Sequence, residues 1–169
     1  MTKPTGLKIY NNLLSKDEVN KILSYKEYET QSETNTVLFR YFGNYIAKST
    51  YPTENWMLEL GKVLYEKKYF SEIPNQYRVC DWVGRLSDQF KWHIDNDRHG
   101  SEILSICLTD NRMIGFRDPT KPDDVYKIEF NAGDAYMMTK ASRWNWEHRV
   151  MPVGRDSEGG KSIIMSYKR

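Results

Sequence analysis

Cysteine is scarce in this 169-residue chain: there are two, Cys80 and Cys107. Neither belongs to a Cys-x-x-Cys pair, and both sit in apolar runs (Val79-Cys80 and Ile106-Cys107-Leu108). This excludes a disulfide framework and a cysteine zinc cluster. It reads instead as two buried free thiols in a reducing, cytoplasmic setting. Long apolar runs are also missing. No stretch approaches the roughly 20 residues that a membrane helix needs, and no secretory leader is visible at the start, so no membrane association is expected. Charge of one sign is missing too: 25 Lys and Arg are interspersed with 23 Asp and Glu, for a net +2. Charge alone therefore does not announce a nucleic-acid partner. Internal repeats and low-complexity tracts are absent, which excludes a solenoid. Only three histidines occur, so each one carries weight.

What is present is a soluble, globular composition, 39% apolar and 28% charged, of a length suited to one domain that can bury its own core. Aromatics reach 14%, with five Trp and twelve Tyr, which suits either a large core or an aromatic-lined cleft. Gly6-Leu7-Lys8-Ile9-Tyr10 reads as a short strand. Ser15 with Glu18 has capping-box spacing and opens a helix whose apolar face is Val19, Ile22 and Leu23. A second helix is expected over 54–70, with Trp56, Leu60, Val63 and Leu64 at helical spacing. From residue 76 the period shortens. Segments 77–83, 89–95, 102–108, 112–117, 125–130, 134–139, 145–151 and 162–168 read as strands, with Gly, Pro, Asn and Asp between several of them. The fold class is α+β with a mainly β core: a double-stranded β-helix (jelly roll) of about eight strands behind an N-terminal helical segment. Helices do not alternate with strands, which argues against a parallel α/β sheet. One domain spans 1–169, with 1–75 as support and a possible lid and 76–169 as the core.

Alternate residues on a strand share a face, so His93 and Asp95 of "FKWHIDND" are expected to project together. His148 follows much later on another expected strand. Two histidines and one carboxylate, paired as His-x-Asp with a distant His, are the facial triad of non-haem Fe(II) oxygenases, which leaves positions open for co-substrate and dioxygen. Alone, His-x-Asp is a common triplet, and His148 alone fits a satisfied core histidine. His99, before Gly100, reads as a surface residue.

The surrounding motifs resemble those of the AlkB-like Fe(II)/2-oxoglutarate dioxygenases over roughly residues 37–169. They are "FRYFGNY" (39–45), "WHIDND" (92–97), "AGDAYMM" (132–138), the ungapped "SRWNWEHRV" (142–150) and "GGKSIIMSYKR" (159–169). The resemblance implies Fe(II) held by His93, Asp95 and His148, 2-oxoglutarate as co-substrate, and O2. It implies oxidation of a C–H bond, with loss of formaldehyde where the target is an N-methyl group. It also places Asp97 close to the target, on the face of His93 and Asp95, with Trp92 and Ile94 on the opposite face for packing.

The co-substrate pocket departs from the family's pattern. Where the resemblance calls for Asn and Tyr before His-x-Asp, the chain has Asp81 and Val83. Where it calls for two arginines on the last strand, the chain has Ser162 and Lys168, with Lys161 and Arg169 beside them. A dicarboxylate needs a cation deep in the barrel. The candidates are Lys168, or Lys161 or Arg169 if the strand register shifts by one. Asp81 would repel the co-substrate unless it is protonated or paired, for instance with Arg78 or Arg85.

Family analogy favours a methylated or otherwise modified nucleobase in DNA or RNA, single strands included, as the partner of a monomeric enzyme. Trp92, Tyr41, Tyr45, Trp144 and Trp146 are candidate stacking walls, although Trp146 reads better as core. Arg40, Lys48, Arg98, Arg112, Arg117 and Lys121 suit either phosphate contact or an ordinary surface. Two alternatives stay open. One is the same chemistry on a protein side chain or small molecule, because "HRVMPV" (148–153) also resembles prolyl-hydroxylase-like sequences. The other is a non-catalytic binding module on the same fold.

Overall fold

The computed structural model describes residues 1–28, 37–45, 50–82, 91–151 and 160–169. Lys48, Val83, Arg85 and the Pro152-Val153 pair lie outside them. The elements run β1 (Leu7–Tyr10), α1 (Lys16–Leu23), a 3-10 turn (Lys26–Tyr28), β2 (Val37–Gly43), β3 (Thr50–Tyr51), α2 (Asn55–Glu66), β4 (Gln76–Trp82), β5 (Ile103–Cys107), β6 (Arg112–Arg117), β7 (Val125–Phe130), β8 (Ala135–Met138), α3 (Lys140–Trp144), β9 (Glu147–Met151) and β10 (Lys161–Ser166).

The capping box forms at the start of α1. The Glu18 backbone N–H donates to Ser15 Oγ (3.2 Å), and the Ser15 N–H donates to Glu18 Oε2 (2.7 Å). Helix α2 stops at Glu66, short of the expected residue 70. Lys68 there turns left-handed (φ 65°), and the Tyr69 N–H closes back onto Leu64 O, which brings Phe70 into the core. The buried face of α2 is Met57, Gly61 and Leu64, while Val63 is exposed. Gly61 is required by packing, since a Cβ there would stand 2.3 Å from the Tyr77 hydroxyl.

Two sheets make the core: a seven-stranded sheet of order β1-β8-β5-β10-β4-β2-β3 and a three-stranded sheet β7-β6-β9. All pairs are antiparallel except β2 with β3. The N-terminal segment supplies strands at both edges of the large sheet. Side-chain parity then sorts the residues. Val79, Leu104, Ile106, Met137, Ile163 and Met165 face α1 and α2 and pack on Val19, Ile22, Met57 and Leu64. Their neighbours in sequence, Arg78, Cys80, Ser105, Cys107, Tyr136, Ser162 and Ile164, face the small sheet, where Ile114, His148 and Val150 meet them. Both faces of the large sheet are covered, which explains why its strands read as apolar runs without alternation. The two cysteines are free and buried, as expected. Among the described residues, no helix is long and apolar enough to cross a membrane.

Candidate metal centre and its cavity

The expected strand over 89–95 is corrected: within 91–95 only His93 is paired, through a single bridge to His148 on β9. The two residues exchange backbone bonds, His93 N–H to His148 O (3.2 Å) and His148 N–H to His93 O (2.9 Å). After that rung the chain turns. Asn96 accepts the Arg98 N–H on its side chain (2.9 Å) and the His99 N–H on its carbonyl (3.1 Å). A buried arginine from α3, a helix absent from the sequence reading, takes the carbonyls that a strand ladder would have used. Arg143 donates to Asp95 O (2.9 Å), Asn96 O (2.8 Å), His99 O (3.0 Å) and Gly100 O (2.9 Å). A fork of donors suits a cluster of loop carbonyls better than a point charge would.

This arrangement brings one nitrogen each from His93 and His148 and an oxygen of Asp95 within 4.8 Å of one another. Asp95 Oδ2 is 3.5 Å from His148 Nε2, and Oδ1 is 3.9 Å from His93 Nε2. His93 Nδ1 meets the Lys91 carbonyl at 3.0 Å, so in the neutral ring the proton sits on Nδ1 and Nε2 carries the lone pair. Burial pushes the His148 pKa down to about 4, so the imidazole is neutral at pH 7. Burial would raise the Asp95 carboxyl, but His148, Arg78, His99 and His93 outweigh it and hold it well below the usual range. Asp95 Oδ2 is buried and accepts no hydrogen bond among the described residues. Two imidazoles, one of them held neutral by burial, with an anionic carboxylate and an oxygen in need of a cation fit Fe(II).

Beside the triad, the space between the sheets holds a cavity with about 500 Å³ of empty volume, part of it open to solvent. Its floor follows the strand register. One row is Phe39, Cys80, Ser162 and Cys107; the next is Arg78, Ile164, Ser105 and Tyr136, with Tyr41 continuing it beyond the cavity. The small sheet provides Arg112, Ile114, His148 and Val150. Burial pushes the Cys80 thiol up to about 11 and the Cys107 thiol to about 12, so both stay neutral.

The structure sorts the other sequence candidates. Ser162 lies in the cavity wall. Asp81 and Lys161 do not line it. They are paired across β4 and β10 on the helix-side face, with Lys161 Nζ 3.8 Å from Asp81 Oδ2 and donating to Tyr28 O. The expected repulsion of a co-substrate by Asp81 is therefore removed by parity, and Asp81's partner is Lys161 rather than Arg78. Arg78 instead meets Asp95 (3.7 Å). Lys168 lies past the end of β10 and donates to Asp97 O (2.8 Å), while exposed Arg169 sits near Glu72 (3.7 Å). Neither lines the cavity. Asp97 is exposed in the turn rather than aligned on a strand. Trp92 faces the outer side of the small sheet, over Gly115 and beside the guanidinium groups of Arg117 (4.5 Å) and Arg149 (5.6 Å). Ile94 is exposed rather than packed. Tyr41 flanks Arg78 on the cavity face, edge-on to buried Tyr45. Trp146 packs in the core between the sheets, and Trp144 is exposed. His99 is buried (4% exposed), edge-on to Tyr45, and is not a surface residue. Arg112 is also buried (5%) rather than an ordinary surface cation.

Arg78, Arg112 and Arg143 were thus the side chains whose place at the site went unrecognised. The signal for the first two was parity: Arg78 alternates with Cys80, and Arg112 with the inward Ile114 and Phe116.

Residues 30–169 match the sequence profile of the 2OG-Fe(II) oxygenase superfamily. No curated protein sequence matches significantly. Among solved structures, OsALKBH1 superposes with a TM-score of 0.60 at 13% identity, over 99% of this chain and 100% of that one. A Pseudomonas putida prolyl-4-hydroxylase gives 0.59 at 12%, over 97% and 93%. At such identities these two likenesses establish the fold. With the profile spanning most of the sequence, the chain belongs to the 2OG-Fe(II) oxygenase superfamily, whose dioxygenase chemistry uses Fe(II), 2-oxoglutarate and O2.

Proposed function

We propose that this enzyme oxidises a methylated or otherwise modified base in DNA or RNA, with His93, Asp95 and His148 holding the iron. The observation that carries the iron assignment is the donor cluster itself, three ligand atoms of the right kinds within 4.8 Å, on a wall shared with a cavity between the sheets. The base assignment is supported by the ungapped AlkB-like segment 142–150 and by full-length superposition on OsALKBH1. Bound Fe(II) with 2-oxoglutarate and O2 supplies an oxidant for a C–H bond, the co-substrate leaving as succinate and CO2.

The chain's own residues prepare that chemistry. Asp95 contributes the negative charge, the imidazoles of His93 and His148 complete the set, and Arg143 fixes the loop that carries Asp95. Ile114, Val150 and Ile164 line the cavity with apolar surface and restrict water around the reacting groups. Tyr41, beside Arg78 on the cavity-side face of the large sheet, offers an aromatic surface on which a base could stack.

The near-equal superposition on the prolyl-4-hydroxylase supports a second reading, the same oxidation on a protein side chain. Formaldehyde release decides between them. Protein with Fe(II) and 2-oxoglutarate is offered N-methylated single-stranded oligonucleotides and, separately, proline-containing peptides. Release of formaldehyde from the oligonucleotide, with salt-dependent binding, is expected. Peptide hydroxylation with no turnover of any oligonucleotide would replace the first reading by the second.

A further inference from the structure

The last strand offers the cavity a serine, Ser162, at the position where the family resemblance has an arginine. The row through it, Phe39-Cys80-Ser162-Cys107, carries no charge. Yet the cavity has two guanidinium groups, Arg78 and Arg112. Arg78 is engaged at the metal end with Asp95. Arg112 comes from the opposite sheet, at the far end of β6. His148 is opposite Phe116 and Val150 opposite Ile114, so Arg112 lies one inward position further from the metal centre. Four residues of strand separate it from the level of His148, about 13 Å of backbone.

Gly160 decides where the Arg112 side chain lies. A Cβ at Gly160 would stand 2.7 Å from both Arg112 Cδ and a terminal guanidinium nitrogen, so the side chain crosses over Gly160, two residues before Ser162. Gly160 leaves the room and Ser162 adds little bulk. A guanidinium thus occupies the neighbourhood of β10 where the resemblance places one, but it arrives from β6.

We propose that Arg112 receives the distal carboxylate of 2-oxoglutarate, replacing a cation on the last strand. This rests on reading the triad as the iron site. The two ends of the co-substrate differ in what they need: the 2-oxo acid end chelates a metal, whereas the distal carboxylate needs a forked donor in a site sheltered from water. The cavity supplies these at opposite ends, with neutral thiol and hydroxyl groups between them. The adjacent acid Asp81 is turned to the other face of the sheet and compensated by Lys161, so it does not oppose the anion.

The test compares two acids on protein loaded with Zn(II), which is redox-inert and diamagnetic: 2-oxoglutarate, and 2-oxopentanoate, which has a methyl group in place of the distal carboxylate. Calorimetry is expected to show wild type preferring 2-oxoglutarate, and Arg112→Gln losing at least about 30-fold in affinity for it, with 2-oxopentanoate and Zn(II) binding unchanged. The double variant Arg112→Ser/Ser162→Arg, which returns the guanidinium to β10, is expected to recover part of the preference. A second readout needs no destabilising change. In wild type, 2-oxoglutarate but not 2-oxopentanoate should shift the Arg112 Nε–H resonance, assigned by its loss in Arg112→Lys. If Arg112→Gln keeps the wild-type preference, or if the shift falls on a different arginine, this assignment is overturned while the iron reading stands. If wild type binds neither acid, both fall.

Discussion

Arg143 binds the site together without touching a substrate. Its guanidinium donates to four carbonyls between Asp95 and Gly100, so it sets where the Asp95 carboxylate stands. Arg143→Lys keeps the charge but loses the fork, and metal affinity is expected to fall about 10- to 100-fold, as read by Zn(II) or Mn(II) titration. His99 gives a second prediction at this scale. Burial, with Arg78, Arg143 and Arg98 nearby and Asp95 opposing them, pushes its pKa down to about 4, whereas the unfolded chain titrates near 6.5. Between those values the unfolded state binds the proton and the folded state does not. Stability therefore rises with pH through that window and is lost as pH falls from about 6.5 towards 4. In metal-free protein His99→Asn should flatten this slope by about 1–3 kcal/mol across the window, measured by urea unfolding between pH 4.5 and 7.5. His148 is shifted in the same direction and leaves a residual slope in the variant. The triad residues were legible in the sequence because His-x-Asp and the segment around His148 are local patterns. Arg78, Arg112 and His99 were not, because which face a strand residue takes, or whether a loop residue is buried, depends on partners far away in sequence.

At the scale of elements, legibility followed local signals. Helix α1 was readable from Ser15 and Glu18 because a capping box is self-contained over four residues. Ser15→Ala is expected to cost about 1 kcal/mol, lowering Tm by about 2–4 °C, which a thermal melt will show. Strands β4 to β10 were readable as runs bounded by turn residues, whereas β2 and β3 fell in the front segment expected to be helical. Segments 91–95 and 140–144 depart from expectation for one physical reason. Segment 91–95 has strand-like composition, but its last carbonyl, Asp95 O, is taken by Arg143 and its next residues form an Asn96 turn. Lys140–Trp144 lies between two expected strands, yet a five-residue helix forms there, its start fixed by the Thr139 N–H donating to Ser142 Oγ (3.1 Å) and the Ser142 N–H donating to Thr5 O (2.9 Å). Each misreading is half of the other, since the helix exists where its arginine can reach the turn.

At the scale of the whole molecule, the metal should act as a clamp between parts remote in sequence. A cation bound by His93, Asp95 and His148 stabilises the folded state by mass action, about 2.7 kcal/mol at a free concentration 100 times Kd. Differential scanning fluorimetry should show Zn(II) or Mn(II) raising Tm, EDTA reversing the rise, and His148→Ala abolishing it. The single rung that joins His93 to His148 has a kinetic consequence. The large sheet, ordered β1-β8-β5-β10-β4-β2-β3, is closed almost wholly by pairings between distant segments, which form slowly and set the folding barrier. Among the described residues, the bridge from β9 to His93 has no neighbouring rungs to form it early. The cation therefore finds its ligands only after the barrier has been crossed. In stopped-flow experiments Zn(II) should leave the refolding arm where it is and slow the unfolding arm alone, so that the ion sets the lifetime of the native state and not the speed of reaching it.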